Sequence, residues 1–268
     1  MKFISLLVVG IVSLVNPSFA AESKLKCQFE TAPEHIEWTK EGGQIVIWTE
    51  PDKETLWNVE FQHTKEHHRY LSWINEHTKL SSLEILENHR DIVEKTFLYR
   101  AHARDVMTEQ NPDVHNSNLI IEGRVGKIRP INCLETWLFD TFNHDYPLSK
   151  SPKEFHAAIL RNEKSKQIRI YYEHQADGID YAGVNTSDKV LGLIKRDLAE
   201  GWTLFYDLHN HPFNFKNPYG DLGGILCPST ADMSFYHYPS PGLENAVITN
   251  GRDTIEMTAS HLKDLRDE

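Results

Sequence analysis

The second half of the chain alternates between strand-like and helix-like spacing of its apolar residues. The pattern predicts strands at residues 155–160, 168–172, 202–208, 246–249 and 254–257, and helices that begin at Asn132, Ser187 and Ser260. Local signals support these boundaries, because Asn132 and Glu135 have the spacing of a capping box and Asn250-Gly251 is a two-residue hairpin turn. This alternation is typical of an α/β domain in which helices pack on a sheet.

The first half of the chain has a different pattern. Its predicted strands, which would form a small antiparallel meander, are residues 35–39, 44–49 and 56–62. Residues 82–110 then have the apolar spacing of one long or broken helix, and Asn, Pro and Gly interrupt the pattern at residues 111–130. We therefore predict a smaller α+β N-terminal domain of unknown role over residues 21–125, followed by a second domain over residues 126–268.

The first twenty residues have the pattern of an export signal. Lys2 precedes an apolar run of 13 residues, and the small residues Ser18 and Ala20 are placed for cleavage before Ala21. The run is shorter than the roughly 18 apolar residues of a membrane helix, and no later stretch approaches that length. The sequence therefore predicts a signal peptide at residues 1–20 and a secreted or periplasmic protein that has no membrane span after cleavage.

Composition narrows the class of protein further. The 268 residues carry 28 Lys and Arg against 39 Asp and Glu, and the resulting net charge of −11 would repel a phosphate backbone. Nucleic acid is therefore not expected as a partner. Only three cysteines are available for an oxidising compartment, so at most one intramolecular disulfide forms and one thiol remains. Cys27 with Cys133 is one candidate pairing, and the sequence does not decide between the pairings.

One constellation in the second half carries metal chemistry. His209 and His211 are two residues apart on a strand, so both imidazoles project from the same face. Pro212 ends that strand, and Ser229 then caps a new helix with Asp232 at its third position. Two histidines and one carboxylate suit zinc, and three protein ligands leave the fourth position open, as in catalytic zinc sites. We therefore predict that His209, His211 and Asp232 bind Zn²⁺.

The segments His209-Asn210-His211-Pro212 and Ser229-Thr230-Ala231-Asp232 resemble the His-x-His-Pro and Ser-x-x-Asp signature of the JAMM/MPN-domain zinc metalloproteases, a family that includes deubiquitinating isopeptidases. The resemblance covers residues from about 130 to 268. It implies an α/β fold with a mixed sheet, flanking helices and a layering like that of cytidine deaminases. It also implies that Glu154 is the general base, that Ser229 supports the oxyanion, and that the histidines and aspartate of the signature bind the zinc.

Other glutamates compete with Glu154 for the role of base. Glu135 is the second candidate, although its position as a helix-cap partner is a sufficient structural explanation, and Glu173 ends a strand without support from the resemblance. Glu154 also has a structural interpretation, because Ser151-Pro152-Lys153-Glu154 has the spacing of a capping box with proline at the first helical position. Both interpretations of Glu154 stay open from the sequence alone.

Three features lie outside the signature. A segment of 17 residues, 212–228, is longer than the compact loop of that family and is either a substrate-shaping lid or an insertion without a role. Cys227 is either a ligand that caps the zinc in a latent form or a thiol that is buried or disulfide-bonded. His63 and His67 have a spacing that could put two ligands on one helix face, but no carboxylate or cysteine completes a site nearby, so we predict a solvated polar face.

The resulting prediction is a zinc-dependent metallopeptidase or isopeptidase that hydrolyses an amide bond with a metal-activated water. Its expected substrates are a peptide, an isopeptide-linked protein or, for an exported bacterial enzyme, a cell-wall peptide. Two other classes of function remain open. One is a non-catalytic MPN-type module that binds a protein partner and uses zinc structurally. The other is a zinc amidohydrolase of a small molecule, since fold and metal site do not determine the substrate.

Overall fold

The computed structural model describes residues 25–38, 43–104, 111–150, 152–174, 187–216, 223–237 and 242–267. The predicted signal peptide at residues 1–20 lies outside these ranges. None of the helices within them is both long enough and apolar enough to cross a bilayer.

The described ranges contain strands and helices in nearly regular alternation after residue 127. The strands are β1 (Leu25–Lys26), β2 (Glu34–Trp38), β3 (Gln44–Pro51), β4 (Phe61–Gln62), β5 (Lys127–Pro130), β6 (Phe155–Asn162), β7 (Gln167–His174), β8 (Thr203–Asn210), β9 (Asn245–Thr249) and β10 (Asp253–Thr258). The helices are α1 (Lys65–His77), α2 (Ser82–Arg104), α3 (Pro112–Ile121), α4 (Cys133–Asp145), α5 (Asp188–Ala199) and α6 (Thr230–His237). Two short 3-10 helices are Glu54–Trp57 and His261–Lys263.

One mixed sheet organises the fold, with the strand order β2-β3-β7-β6-β8-β9-β10-β5. Its neighbouring strands are antiparallel except for β8 and β9, which run parallel. Helices pack on both faces: α1 and α4 contribute to one hydrophobic cluster, and α3, α5 and α6 contribute to the other. The predicted α/β class, a mixed sheet with flanking helices, is confirmed.

The sheet crosses the boundary predicted near residue 125. β3 pairs with β7 along its whole length, from Gln44 opposite His174 to Pro51 opposite Gln167. β2 and β3 therefore extend the sheet of the second half and do not form a sheet of their own. The predicted three-stranded meander is wrong, because the second edge of β3 pairs with β7 instead of with a third N-terminal strand.

The segment predicted as that third strand, residues 56–62, is mostly not extended. It begins inside the 3-10 helix Glu54–Trp57, and only Phe61–Gln62 forms a strand, which pairs in parallel with β1. The side chains of Leu56 and Phe61 are both buried. These two buried side chains belong to different elements, and their spacing in the sequence resembles that of one strand.

Residues 111–130, predicted as a break between domains, contain helix α3. The helix begins with Pro112, and the side chain of Asn111 accepts a hydrogen bond from the Asp113 N–H at 2.8 Å. Asparagine and proline therefore act here as the N-cap and first residue of a helix, positions that favour these residue types.

The helix predicted to begin at Ser260 is shorter in the structure and of a different type. Only the 3-10 helix His261–Lys263 forms there. The ring of His261 accepts a hydrogen bond from the Thr258 N–H at 3.2 Å, which folds the segment back against the end of β10.

A disulfide joins Cys27 to Cys133, whose Cα atoms are 5.3 Å apart and which are separated by 106 residues in the sequence. It connects the segment after β1 to the first residue of α4. Cys227 is buried and is not part of a disulfide. Of the pairings that the sequence leaves open, the structure therefore contains Cys27 with Cys133.

Candidate metal centre

Strand β8 brings the two histidines of the predicted site to one face of the sheet. His209 lies opposite His156 of β6. Although β8 ends at Asn210, the chain stays paired for one more residue, because the His211 N–H donates to the Thr249 carbonyl at 2.8 Å. The two imidazoles consequently point into the same space, as the spacing predicts.

Helix α6 supplies the third group. The Ser229 hydroxyl accepts a hydrogen bond from the Asp232 N–H at 3.2 Å, and the Asp232 carboxylate accepts from the Ser229 N–H at 2.8 Å and from its hydroxyl at 2.9 Å. This reciprocal capping fixes the carboxylate at the N-terminus of the helix, where the helix dipole favours its negative charge.

His209, His211 and Asp232 meet between β8 and α6. The two Nε2 atoms are 3.0 Å apart, Oδ1 of Asp232 is 3.4 Å from Nε2 of His209, and Oδ2 is 3.4 Å from Nε2 of His211. Ligand atoms of a tetrahedral zinc with bonds of 2.0–2.2 Å lie about 3.3–3.6 Å apart. Each carboxylate oxygen lies at this distance from one of the two rings, whereas the two Nε2 atoms are closer together. The three residues are therefore grouped as candidate ligands of one ion. Within the described ranges, no other group of three such residues is placed to hold a metal.

The hydrogen bonds and charges at the site leave the correct atoms available for a metal. Nδ1 of His211 is 2.8 Å from the carbonyl oxygen of Ile225, which can only accept, so Nδ1 carries the proton and Nε2 of the neutral ring keeps its lone pair. Burial raises the pKa of Asp232, but the positive charge that the rings of His209 and His211 carry when protonated, together with their hydrogen bonds, outweighs burial and holds that pKa well below its ordinary value. The carboxylate is ionised, as a metal ligand must be.

Tyr236 orients the other imidazole, and the sequence analysis missed it. Its hydroxyl is 3.2 Å from Nδ1 of His209, and both residues are buried. Burial, together with the charges of Asp232 and Asp207, raises the pKa of Tyr236 well above its ordinary value, so the phenol keeps its proton. The available signal was the spacing, since Tyr236 follows Asp232 by four residues and so shares its helix face.

Glu154 lies immediately before β6, in a backbone segment that Asn210 holds on both sides. Nδ2 of Asn210 donates to the Lys153 carbonyl at 3.0 Å, and its Oδ1 accepts from the Phe155 N–H at 2.6 Å. These bonds keep the segment extended and in line with β6. Residues 152–154 are not helical, so the interpretation of Glu154 as part of a helix capping box is wrong.

The register of the sheet places Glu154 at the same end as the ligands. His156 is opposite His209 in the antiparallel pair of β6 and β8. Extending this register by two residues puts Glu154 opposite His211 and, by the alternation of side chains, on the same face. Glu154 is 9 % exposed, so it lies at the border between the core and the surface.

Glu135, the second candidate base, has a structural role. Its carboxylate accepts hydrogen bonds from Arg129 at 2.6 and 2.9 Å, from the Asn132 N–H at 2.9 Å and from the Thr254 hydroxyl at 3.0 Å. The side chain is fully buried in the first turn of α4, a helix that packs on the sheet face opposite to that of α6. Its acceptor positions are used within the fold, which favours Glu154 as the base.

A buried ion-pair network that the sequence analysis did not identify lies beside the ligands. Nε2 of His156 is 3.0 Å from Oδ2 of Asp207, and its Nδ1 is 3.9 Å from Oε2 of Glu173. Burial lowers the pKa of His156, but the two carboxylates, above all Asp207, raise it to about 10. Glu173, the third candidate base, also accepts a hydrogen bond from the Ser187 hydroxyl at 2.6 Å and so caps α5.

The other candidates from the sequence lie outside the ligand group. Sγ of Cys227 is 3.7 Å from the Ser117 hydroxyl, and the described residues do not place it among the candidate ligands, so nothing supports its role as a zinc cap. The ring of His67 stacks on that of His63 with centroids 4.8 Å apart. Because His67 is fully buried, the prediction of a solvated polar face is wrong there, and its Nδ1 lies 3.3 Å from Oδ1 of Asp140.

No protein-family model, no curated protein and no solved structure matches this chain. The candidate site is therefore defined by its residues and by the distances among them.

Proposed function

We propose that the protein is a zinc-dependent hydrolase of the JAMM/MPN type that cleaves an amide bond in a peptide or an isopeptide-linked protein. The observation that carries the proposal is the convergence of His209, His211 and Asp232, in which each imidazole Nε2 lies 3.4 Å from an oxygen of Asp232 and 3.0 Å from the other Nε2. The register of β6 with β8, which puts Glu154 at the same end of the sheet, supports it. So does the hydrogen bond from His211 to the Ile225 carbonyl, because metal-binding histidines are oriented in this way.

Each residue has a distinct task in the proposed reaction. His209, His211 and Asp232 would hold the ion, which when bound lowers the pKa of a water ligand to about 7 and polarises a carbonyl group. Glu154 accepts a proton from the attacking water and passes it to the leaving nitrogen, which regenerates the carboxylate. Asn210 positions Glu154 by holding the backbone on both sides of it.

Ser229 is proposed to support the negative charge that develops on the carbonyl oxygen. Its hydroxyl donates to Asp232 in the structure, so this task requires the hydroxyl to turn to a new acceptor, while the Ser229 N–H stays bonded to Asp232. The variant Ser229→Ala separates the two roles of the hydroxyl. A lower kcat at full zinc content would indicate support of the oxyanion, and a loss of zinc would indicate that capping Asp232 is its main task.

The disulfide supports the proposed compartment. Such bonds persist in secreted and periplasmic proteins and are rare in the cytosol, and Cys27 is bonded to Cys133. We therefore propose that the substrates are extracellular peptides, cell-wall peptides or isopeptide-linked proteins that an exported enzyme meets. The net charge of −11 favours such substrates over nucleic acid.

The test compares zinc-loaded wild-type protein with Glu154→Gln on peptide, isopeptide and small amide substrates. Glu163→Gln, an exposed carboxylate in the turn between β6 and β7, is the matched control. We expect Glu154→Gln to keep its zinc and to lose at least about a hundredfold in kcat/KM, the size of a general acid–base contribution. Glu163→Gln should behave like the wild type.

The outcomes of this test separate the classes of function. Equal activity of Glu154→Gln and wild type would contradict the assignment of the base. A zinc-loaded wild type that cleaves no amide would contradict the enzyme and leave a binding module with a structural zinc. Cleavage of small amides alone would keep the reaction and change the substrate to that of an amidohydrolase.

A further inference from the structure

A cavity of about 320 Å³ lies between helix α2 and the segment that follows His211. Its apolar lining comes from two sides. Helix α2 and the residues before it contribute Leu80, Ile85 and Ile92, and the segment after β8 contributes Phe213, Phe215 and Ile225. The volume is at the lower end of the range of about 300–1,000 Å³ found for ligand sites. This size suits one large side chain better than an extended molecule.

The rim of the cavity exposes apolar surface to solvent. Ile92 is 47 % exposed and Leu80 is 39 % exposed. The polar lining residues are His77, Thr78, Asn88, His89 and Asn214, and none of the described lining residues is Asp, Glu, Lys or Arg. Such a lining favours an apolar occupant, because a charged side chain would lose its hydration without gaining an Asp, Glu, Lys or Arg as an ion-pair partner.

The cavity shares a short chain segment with the candidate metal centre. Ile225 lines the cavity, and its carbonyl oxygen accepts the hydrogen bond from Nδ1 of His211 at 2.8 Å. Phe213 lines the same side of the cavity and follows His211 by two residues. Gly224 has φ +70°, and a Cβ there would overlap the ring of Phe213, so glycine allows this segment to close against that ring. Ile225 therefore contacts both the cavity and a proposed zinc ligand.

We propose that this cavity is a specificity pocket that binds one bulky apolar side chain of a polypeptide substrate, with phenylalanine as the reference occupant. The inference rests on the proposed function, which supplies the polypeptide whose amide is cleaved at the metal centre. The inference adds a substrate class to that function. The pocket selects substrates with a large apolar residue near the cleaved bond and disfavours those with a charged residue at that position.

The first experiment measures binding without catalysis. N-acetyl-L-phenylalanine amide and N-acetyl-L-alanine amide are titrated by calorimetry into Glu154→Gln protein, once loaded with zinc and once treated with chelator. We expect the phenylalanine amide to bind at least about tenfold more tightly than the alanine amide, as apolar pockets discriminate side-chain size. Ile92→Glu should remove this difference. Leu83→Glu, a substitution of a similarly exposed residue of α2 that does not line the cavity, should keep it.

The second experiment measures whether the pocket affects the rate of cleavage. A set of peptides with one phenylalanine moved through an alanine-rich sequence is cleaved by zinc-loaded wild type, Ile92→Glu and Leu83→Glu. We expect one position at which phenylalanine raises kcat/KM by at least about tenfold, in the wild type and in Leu83→Glu only.

The results distinguish failure of the pocket from failure of the enzyme. Equal binding of the two amides, or unchanged discrimination in Ile92→Glu, would overturn the pocket while zinc binding and hydrolysis stay intact. Cleavage without any preferred position of phenylalanine would overturn its role in substrate selection. If the protein bound the phenylalanine amide selectively but neither bound zinc nor hydrolysed an amide, the proposed function would be overturned. The cavity would then be an apolar ligand site.

Discussion

Removal of the Tyr236 hydroxyl is predicted to weaken zinc binding although Tyr236 is not a ligand. The hydroxyl is 3.2 Å from Nδ1 of His209, and it is the described partner of that nitrogen. Tyr236→Phe deletes this contact and keeps the ring by which α6 packs in the core. Within the described residues, Nδ1 of His209 then lacks the hydrogen bond that holds the ring with Nε2 towards the other ligands.

The magnitude follows from the kind of contact that is lost. One hydrogen bond between two buried groups disappears, and no cavity larger than one oxygen atom forms. Loss of a partner that orients a metal-binding histidine typically lowers affinity by about 10–100-fold, which corresponds to about 1.4–2.8 kcal/mol. We expect this loss for Tyr236→Phe, whereas removal of a ligand, as in His211→Ala, should abolish stoichiometric binding.

The assay is a competition titration of zinc between the protein and a chromophoric chelator. Tyr206→Phe is the matched control, since its hydroxyl also bonds a partner, Oε1 of Glu256 at 3.0 Å, but lies outside the ligand group. Zinc affinity should fall in Tyr236→Phe and stay unchanged in Tyr206→Phe. Equal affinities of Tyr236→Phe and wild type, with both variants folded, would refute the reasoning about His209.

Three further predictions concern the surroundings of the site. The folded-state pKa of His156, about 10, lies above its ordinary value of 6.5, so its ion pairs stabilise the protein fully below pH 6.5 and this stabilisation is lost as the pH rises towards 10. Urea unfolding of chelator-treated protein should show that decline, and an equally steep decline in His156→Gln would contradict it. Glu135→Gln should lower the free energy of unfolding by about 2–3 kcal/mol, because the partly buried Arg129 loses one of its two carboxylate partners and keeps Glu256; loss of zinc from the folded variant would speak against a purely structural role. Replacement of Cys27 and Cys133 by serine should cost about 2–4 kcal/mol in the same assay, and unchanged stability would show that the disulfide does not constrain the unfolded chain.

Local signals account for the parts of the site that the sequence predicts. The capping boxes at Asn132 and at Ser229 involve residues three positions apart, and both form in the structure. The spacing of His209 and His211 decides which face they share, whatever the neighbouring strands are. Interactions of this range depend on few other residues and can therefore be inferred from one sequence.

Tertiary contacts account for what the sequence does not predict. The pairing of β3 with β7 joins residues more than a hundred positions apart. The continuous apolar run Ile45–Trp48 of β3 indicates a strand that is buried on both faces, but it does not indicate which strand is its partner. The orienting group on His211 is the backbone carbonyl of Ile225, which any residue type supplies, so no side chain at that position could indicate it. His156 and Asp207 are each two residues from a candidate site residue, but their pairing depends on the register of β6 with β8.

Elemental analysis of the purified protein, residues 21–268, beside His211→Ala and His63→Ala tests whether the three candidate ligands bind zinc. We expect one zinc ion per chain in the wild type and in His63→Ala, and none in His211→Ala. The proposed metal centre would be contradicted if wild-type protein purified without chelator contained no zinc and took up none on addition.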